Sequence, residues 1–227
     1  YLALLKQMQE RILHATEEEI NRSKIEILSG LMRLRQICDT PKLFMEDYNG
    51  ESGKLESLRE LLEQIQGGNH RVLIFSQFRG MLDIIEQELS QMGMESFKIT
   101  GSTPAKERQE MTKAFNQGER SAFLISLKAG GVGLNLTGAN TVILVDLWWN
   151  PAVEAQAIGR AHRIGQERNV KVYRMITRGT IEEKIQELQD TKRNLVSTIL
   201  DGAESRSSLS MEEIREILGI SSESLEK

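Results

Sequence analysis

The stretch QAIGRAHRIGQ, residues 156–166, carries the side chains of this sequence that point most directly to a chemical role. Gln156, Arg160 and Arg163 are spaced i, i+4 and i+7, so on a helix they would form one stripe. Two guanidinium groups are costly against an apolar surface, but they suit an acidic partner or a polyanion. Arginine fits phosphate because its planar fork donates two parallel hydrogen bonds. Spacing alone leaves two interpretations open: a phosphate site, or a surface helix paired with neighbouring acids.

Residues 128–139, KAGGVGLNLTGA, form a glycine-rich loop between two predicted strands. Glycine lets a backbone turn sharply and approach a phosphate closely. The loop lacks the G-x-G-x-x-G fingerprint, and the sequence contains no G-x-x-x-x-G-K-[ST] phosphate loop and no Asp-Glu dipeptide. The chain therefore offers cations to a phosphate, but no motif that would hold a nucleotide by itself. A purely structural turn remains an equal alternative for this loop.

Two further stretches follow predicted strands. DLWWNP, residues 146–151, contains the only two tryptophans, of which we expect one to anchor the core and the other to expose its ring for stacking. In GSTPAKER, residues 101–108, Ser102 and Thr103 are candidate caps for the next helix. Lys106 and the backbone N–H groups at that helix start offer positive charge to an anion.

The elements that must position these residues are short apolar strands alternating with helices. The predicted strands are RVLIFS, SFKIT, SAFLIS, TVILVD and VKVYRMI, and the predicted helices are 54–66, 80–92, 104–116, 152–162 and 181–200. Such alternation, with strands that lack a polar face, predicts an α/β fold: a parallel sheet with helices on both faces. Ligands of such sheets bind outside the carboxyl ends of the strands, where QFR, GSTPAKER, LKAGGVGLNLTGA and LWWNP follow the predicted strands.

Helical segments flank this pattern. Residues 1–37 predict two helices, and CDTPKLF ends the second because proline disfavours the helical conformation of the preceding residue. NGESG, residues 49–53, is a polar turn, and SRSSLS, residues 205–210, is a linker before a short helix. We therefore expect a helical segment at 1–48, an α/β lobe at 49–200, and a linker with a trailing helix at 201–227.

Composition excludes several function classes. A single cysteine, Cys38, rules out an internal disulfide and favours an intracellular protein, and three scattered histidines give no metal-ligand spacing. No apolar run approaches the roughly 18 residues of a membrane span. Residues 151–178 contain six Lys or Arg against two Glu, and such a local basic stripe is enough for nucleic-acid binding. Because the sequence begins without Met, we expect it to be part of a longer chain.

Taken together, four blocks resemble motifs four to six of the superfamily-two helicase-like ATPases in their SWI/SNF (chromatin-remodeller) form. The blocks are VLIFSQF, TGSTPAKER, SLKAGGVGLNLTGANTVILVDLWWNP and QAIGRAHRIGQERNVKVYRMIT. RAHRIGQ, with WNP before it and TIEEKI after it, is very specific to that branch. LMRLRQICDTPKLF and SLSMEEIREILG resemble the segments on either side of its second motor lobe, so the resemblance covers nearly the whole chain.

The resemblance implies the C-terminal RecA-like lobe of a motor that has two such lobes. It implies that Arg160 and Arg163 are arginine fingers and that Gln156 faces the same nucleotide. ATP and Mg²⁺ would be held mainly by an N-terminal lobe of the same full-length chain. Positions that match the family's contacts to the DNA backbone are Ser76, Ser102, Lys106, Lys128, Gly130 and Trp149.

The implied activity is ATP-dependent translocation on double-stranded DNA, by a monomer without membrane association, located in the nucleoid if the protein is prokaryotic. The chain alone is expected to be inactive, because fingers on a moving lobe make hydrolysis depend on lobe closure. An RNA helicase lobe and a non-catalytic nucleic-acid-binding scaffold remain as alternatives. The leading interpretation requires Gln156, Arg160 and Arg163 to face outward rather than to be buried against the chain's own acids.

Overall fold

The computed structural model describes residues 1–45, 47–127, 133–163, 165–166, 168–198 and 210–220. The chain divides into two compact units: unit 1 comprises residues 1–49, 149–151 and 177–227, and unit 2 comprises residues 50–148 and 152–176. Residues 177–198 fall in unit 1, whereas the sequence-based division placed them in the lobe of residues 49–200. Compactness does not define an evolutionary domain, so that division stays a prediction.

The sheet of unit 2 is parallel throughout its described length. Its strands are Val72–Ser76 (β1), Ser96–Ile99 (β2), Ala122–Ser126 (β3), Thr141–Leu144 (β4) and Lys171–Arg174 (β5). They lie in the order β2-β3-β1-β4-β5, and every neighbouring pair is parallel. In the centre, Leu73 is in register with Phe123 on one side and Val142 on the other. The predicted parallel α/β sheet is confirmed.

The helices follow the predicted alternation. They are Leu2–Leu13 (α1), Glu17–Arg22 (α2), Lys24–Asp39 (α3), Gly53–Gly67 (α4), Arg79–Gln91 (α5), Ala105–Asn116 (α6), Pro151–Ile158 (α7), Ile181–Thr198 (α8) and Met211–Ile217 (α9), with a 3₁₀ turn at Pro41–Leu43. Among the described residues, none of these helices is both long and apolar enough to cross a membrane.

Helices cover both faces of the sheet, as predicted. Successive residues of a strand point to opposite faces, and in β1 both sets are buried. Leu73 and Phe75 share one core cluster with Phe115 of α6 and Ala157 of α7. On the opposite face α5 contacts β1, β2 and β3, burying residues that include Ile85. Because the sheet is covered twice, its central strands have no solvent face.

The edge strand β5 departs from this pattern. All four of its residues are exposed, whereas every residue of β1, β3 and β4 is buried. The expectation that the strands lack a polar face is therefore wrong for β5 and also for β2, where partly exposed Ser96 and Lys98 alternate with buried residues, because an edge strand is covered less than a central one.

Unit 1 begins with three helices, so the prediction of two helices in residues 1–37 is wrong. Thr16 starts the additional helix with a capping box: its hydroxyl accepts the Glu19 N–H, and the Glu19 carboxylate accepts the Thr16 N–H. The expected break after the last of these helices is confirmed, since α3 ends at Asp39 and the Thr40 hydroxyl caps the following 3₁₀ turn.

Contacts between distant parts of the sequence join the two ends of unit 1. The amide of Gln9 on α1 donates to the Leu218 carbonyl at 2.7 Å. The Ile181 N–H at the start of α8 donates to the Tyr1 hydroxyl, also at 2.7 Å. These bonds connect residues about two hundred positions apart, which local sequence patterns do not reveal.

Arg71 fastens the amino-terminal edge of the sheet in unit 2. Its guanidinium donates to the Gly138 carbonyl and the Glu119 carbonyl, each at 3.1 Å, and to those of Arg120 and Phe115. Its Cζ also lies 4.0 Å from the centre of the Phe115 ring. A glycine at position 138 leaves space for the Arg71 guanidinium, since an added Cβ would lie 2.7 Å from Arg71 Nη1.

Gly138→Ala is expected to lower the free energy of unfolding by about 1–3 kcal/mol, because the new methyl group forces Arg71 away from its carbonyl partners. Urea denaturation of the purified chain measures this. Gly67→Ala is the control, since nothing lies within 4 Å of a Cβ added at that glycine in α4. Equal stability of the two variants would show that the space at Gly138 is not needed.

Candidate functional site

The strand order places a ligand-binding position between β1 and β4. After β1 the chain runs through α5 to β2 on one side, and after β4 it runs through α7 to β5 on the other. Connections that leave neighbouring parallel strands in opposite directions open a crevice at their carboxyl ends. The segments that meet there begin at Ser76 and at Val145.

A buried carboxylate ties these two segments together. Asp146 is 0% exposed and accepts the Gln77 N–H at 3.2 Å, the Gln77 amide at 2.6 Å and the Ser76 hydroxyl. Beside it, the buried ammonium group of Lys54 donates to the Val145 carbonyl at 3.0 Å. A carboxylate in the interior needs such donors, so the cluster stabilises this edge of the sheet.

Ser76 therefore has an internal role. Its side chain is 0% exposed, and its hydroxyl bonds to Asp146. The predicted DNA contact at Ser76 stays a prediction, and in the structure described its hydroxyl is not exposed to solvent.

The segment that carries the paired arginines departs from a regular helix. α7 ends at Ile158, short of the predicted end near His162. The Arg160 N–H bonds to the Ala157 carbonyl and the Ala161 N–H to the Ile158 carbonyl, each at 3.1 Å. These are i to i+3 bonds, which wind the chain more tightly than an α-helix does. The predicted helix over residues 152–162 is therefore too long.

Exposure separates the three side chains of the predicted stripe. Gln156 and Arg163 are exposed, whereas Arg160 is 2% exposed. The expectation that all three face outward is confirmed for Gln156 and Arg163 and is wrong for Arg160. α7 ends at Ile158, so the stripe that a continuous helix would form does not extend to Arg160 and Arg163.

The two arginines lie close enough to influence each other electrostatically. Burial lowers the pKa of the Arg160 guanidinium, and the positive charge of Arg163 lowers it further. Arginine keeps its charge in proteins, so two repelling cations stand together, one interior and one exposed. An anion bound beside them would offset that repulsion.

Gln166 is the last residue of the stretch 156–166, and its side chain bonds that stretch to the loop before β4. Its amide nitrogen donates to the carbonyls of Ala139 at 2.6 Å, Thr137 at 3.1 Å and Ala161 at 3.2 Å. One side chain thus holds both the arginine segment and the β3–β4 connection.

The loop between β2 and α6 holds the exposed candidates Ser102 and Lys106. The Lys106 side chain is 89% exposed, and its nearest acid, Glu110, lies 3.9 Å away. The capping role expected for Ser102 and Thr103 is wrong: the N-cap of α6 is Pro104, without a side-chain hydrogen bond. The Thr103 hydroxyl instead accepts the Thr100 N–H at 3.0 Å, within the loop.

Arg108 donates hydrogen bonds to three backbone carbonyls of the loop between β2 and α6. Its guanidinium donates to those of Thr103 at 2.7 Å, Gly101 at 3.1 Å and Thr100 at 3.3 Å. Because C=O and N–H point in opposite directions across a trans peptide, the N–H groups of Gly101 and Ser102 are directed away from Arg108.

The two tryptophans have different surroundings. Trp148 is half-buried against the core cluster of unit 2, as expected of an anchor. Trp149 belongs to unit 1 and is also half-buried, with the Cζ of the buried Arg35 lying 4.6 Å from its ring centre in a cation–π contact. Lys128 and Gly130, the remaining predicted DNA contacts, lie outside the described residues.

Sequence reasoning assigned no role to Asp146, Glu154, Gln166 or Arg108. A signal exists for Asp146, because a lone acid that ends an apolar strand is buried only when it is paired. Gln166 and Arg108 bond mostly to backbone carbonyls, so no complementary side chain in the sequence points to them.

The parallel sheet, the helices on both faces and the arginine segment after α7 define the RecA-like lobe of helicase-like ATPases. The family described as "Helicase conserved C-terminal domain" matches residues 53–165. The Sulfolobus solfataricus SWI2/SNF2 ATPase C-terminal domain superposes with a TM-score of 0.72 at 33% identity, covering 96% of this chain and 91% of that chain. The chain belongs to the SWI2/SNF2 ATPases and corresponds to their C-terminal domain.

Longer relatives give the same family. The Sulfolobus solfataricus SWI2/SNF2 ATPase core in complex with dsDNA is 34% identical, with a TM-score of 0.75, over 96% of this chain and 46% of that one. The putative ATP-dependent helicase/translocase YwqA of Bacillus subtilis is 42% identical over 92% of this chain and 23% of its own length. A mouse SWI/SNF-related regulator of chromatin, subfamily A member 1, is 41% identical over 88% of this chain and 21% of its own length. The chain thus spans about a fifth of the length of these curated relatives.

Asp146→Ala is expected to lower the free energy of unfolding by about 3 kcal/mol, because it leaves the buried donors of Ser76 and Gln77 without their acceptor. Chemical denaturation monitored by circular dichroism measures the change. Ser102→Ala, at an exposed residue whose hydroxyl lies 2.9 Å from that of Thr100, should stay within about 1 kcal/mol of the parent, the net value of one neutral hydrogen bond. A similarly small effect at Asp146 would mean that the cluster does not hold the edge together.

Proposed function

We propose that this chain is the C-terminal motor lobe of an ATP-dependent translocase on double-stranded DNA. One observation carries the proposal: exposed Arg163 and buried Arg160 lie close together directly after α7 of a SWI2/SNF2-type lobe. Two adjacent cations in that place suit a polyphosphate presented from outside the lobe.

Arg163 and Arg160 act as arginine fingers in this proposal, and Gln156 faces the same nucleotide. Phosphoryl transfer depends on positioning and on neutralising charge rather than on covalent chemistry, so a supplied guanidinium raises the rate by about 10³ to 10⁵. Arg163 can meet a phosphate as it stands. Arg160 has to turn outward when the lobes close, because its side chain is interior in the structure described.

ATP and Mg²⁺ are held mainly by an N-terminal lobe of the full-length protein. The sequence of this chain lacks the phosphate-binding loop and the Asp-Glu pair that such a site requires. Hydrolysis therefore occurs only when the two lobes approach each other, which makes each turnover a mechanical step.

DNA is gripped through its backbone. In unit 2 we propose Ser102 and Lys106 as contacts, together with Lys128 and Gly130; in unit 1 we propose Trp149. The exposure of Ser102 and Lys106 supports their role, as does the relative whose structure is a complex with dsDNA. Contacts to phosphate carry no sequence information, which suits a translocase, and salt should weaken them.

Arg163→Ala in the full-length protein is expected to lower DNA-stimulated ATP hydrolysis by about 10³-fold or more, because transition-state charge is no longer offset. Arg160→Ala should do the same, provided that its melting temperature shows a folded protein. Arg168→Ala, at an exposed arginine of the same segment, is the control and should remain active. An Arg163→Ala enzyme that hydrolyses ATP at the parent rate would overturn the finger assignment.

The chain alone is expected to hydrolyse ATP negligibly, since it supplies fingers without the phosphate-binding lobe. Joined to an N-terminal lobe in one chain, it should hydrolyse ATP with stimulation by duplex DNA in a phosphate-release assay. Brisk turnover by the chain alone would contradict the split site. Stimulation by RNA in place of duplex DNA would favour an RNA helicase instead.

A further inference from the structure

We propose that Glu154 is a positioning residue for the arginine segment: its buried carboxylate fixes α7 between β5 and the chain after β4. In this way it determines where Gln156 and Arg163 stand. The inference rests on the proposed function, since it concerns the same phosphate-facing side chains.

Glu154 is 0% exposed, which is unusual for a glutamate on a short helix. One carboxylate oxygen, Oε1, accepts the backbone N–H of Trp148 at 3.1 Å. The other, Oε2, accepts from Nε of Arg174 at 3.0 Å. Trp148 follows β4 and Arg174 ends β5, so a single side chain bonds to two other parts of unit 2.

α7 depends on such contacts for its orientation. It is only 8 residues long, and a helix of about two turns has little stability of its own. Val153, Ala157 and Ile158 pack it against the core cluster, but apolar contacts are non-directional and fix rotation about the helix axis less strictly than hydrogen bonds do. Glu154 lies on the same two turns as Gln156, and Arg163 follows within the next turns, so rotation of α7 displaces both.

The ion pair between Glu154 and Arg174 is better suited to fixing the orientation of α7 than to stabilising the fold. Removing two charges from water costs nearly as much as their attraction returns, so a buried pair contributes little net stability. Its directional bonds nevertheless admit one arrangement of α7 and β5. The Arg174 side chain is 34% exposed, so that the pair reaches from the interior to the surface of the lobe.

The test uses the full-length protein with Glu154→Gln, Arg174→Gln and the double variant. Each single change should lower kcat for DNA-stimulated ATP hydrolysis by about 10- to 100-fold, the loss typical of a displaced catalytic group. KM for duplex DNA should change less than kcat, because Ser102 and Lys106 lie on another loop and only the proposed contact Trp149 neighbours a partner of Glu154. The double variant should be no slower than the worse single one, since both remove the same contact.

Lys98→Met is the matched control. Lys98 on β2, the opposite edge of the sheet, pairs with Asp83 of α5 at 2.8 Å and also with Glu86 of α5, and its side chain is 24% exposed. Substitution of Lys98 removes two partly exposed ion pairs far from α7. Lys98→Met should therefore lower the melting temperature by a similar amount while kcat stays within about two-fold of the parent.

Several outcomes would overturn the inference. The first is a kcat within about two-fold of the parent in a folded Glu154→Gln or Arg174→Gln variant. The second is a loss of kcat in Lys98→Met equal to that of the Glu154 and Arg174 variants. The third is a loss in the double variant equal to the combined losses of the two single variants. If Glu154→Gln does not fold, the more exposed Arg174→Gln decides. Failure of the proposed function is recognised separately, because it requires a fully active Arg163→Ala enzyme.

Discussion

The parallel pairing of five strands is the constraint on which the rest of this lobe depends. A buried strand must bond every N–H and C=O to a neighbour, and β1 does so with β3 on one side and β4 on the other. Because all the strands run the same way, the loops that follow them gather at one edge. The segments that begin at Ser76, Thr100 and Val145 therefore lie at the same edge.

Two buried carboxylates then organise that edge. Asp146 joins the chain after β1 to the chain after β4, and Glu154 joins α7 to β5 and to Trp148. Neither is exposed to solvent. The interior acids shape the loops, and the exposed groups, such as Arg163 and Lys106, remain available to ligands.

The arginine pair combines both kinds of environment. Arg160 is interior and Arg163 is exposed, although they lie only three residues apart. In the function proposed above, exposed Arg163 meets a nucleotide held by another lobe, and buried Arg160 turns outward when the lobes close. Membership of the SWI2/SNF2 ATPases is consistent with such a division, since this chain corresponds to their C-terminal domain.

The sequence by itself determined the strands, the parallel α/β class and the family, because apolar runs and motif strings are local signals. It also indicated Gln156 and Arg163 as exposed groups. Only the tertiary structure decided that Ser76 and Arg160 are interior, that Thr103 does not cap α6, and that Glu154 bonds to Arg174. The physical reason is that burial and pairing depend on which distant segments meet, and helical periodicity in the sequence cannot show that α7 ends at Ile158, before both arginines.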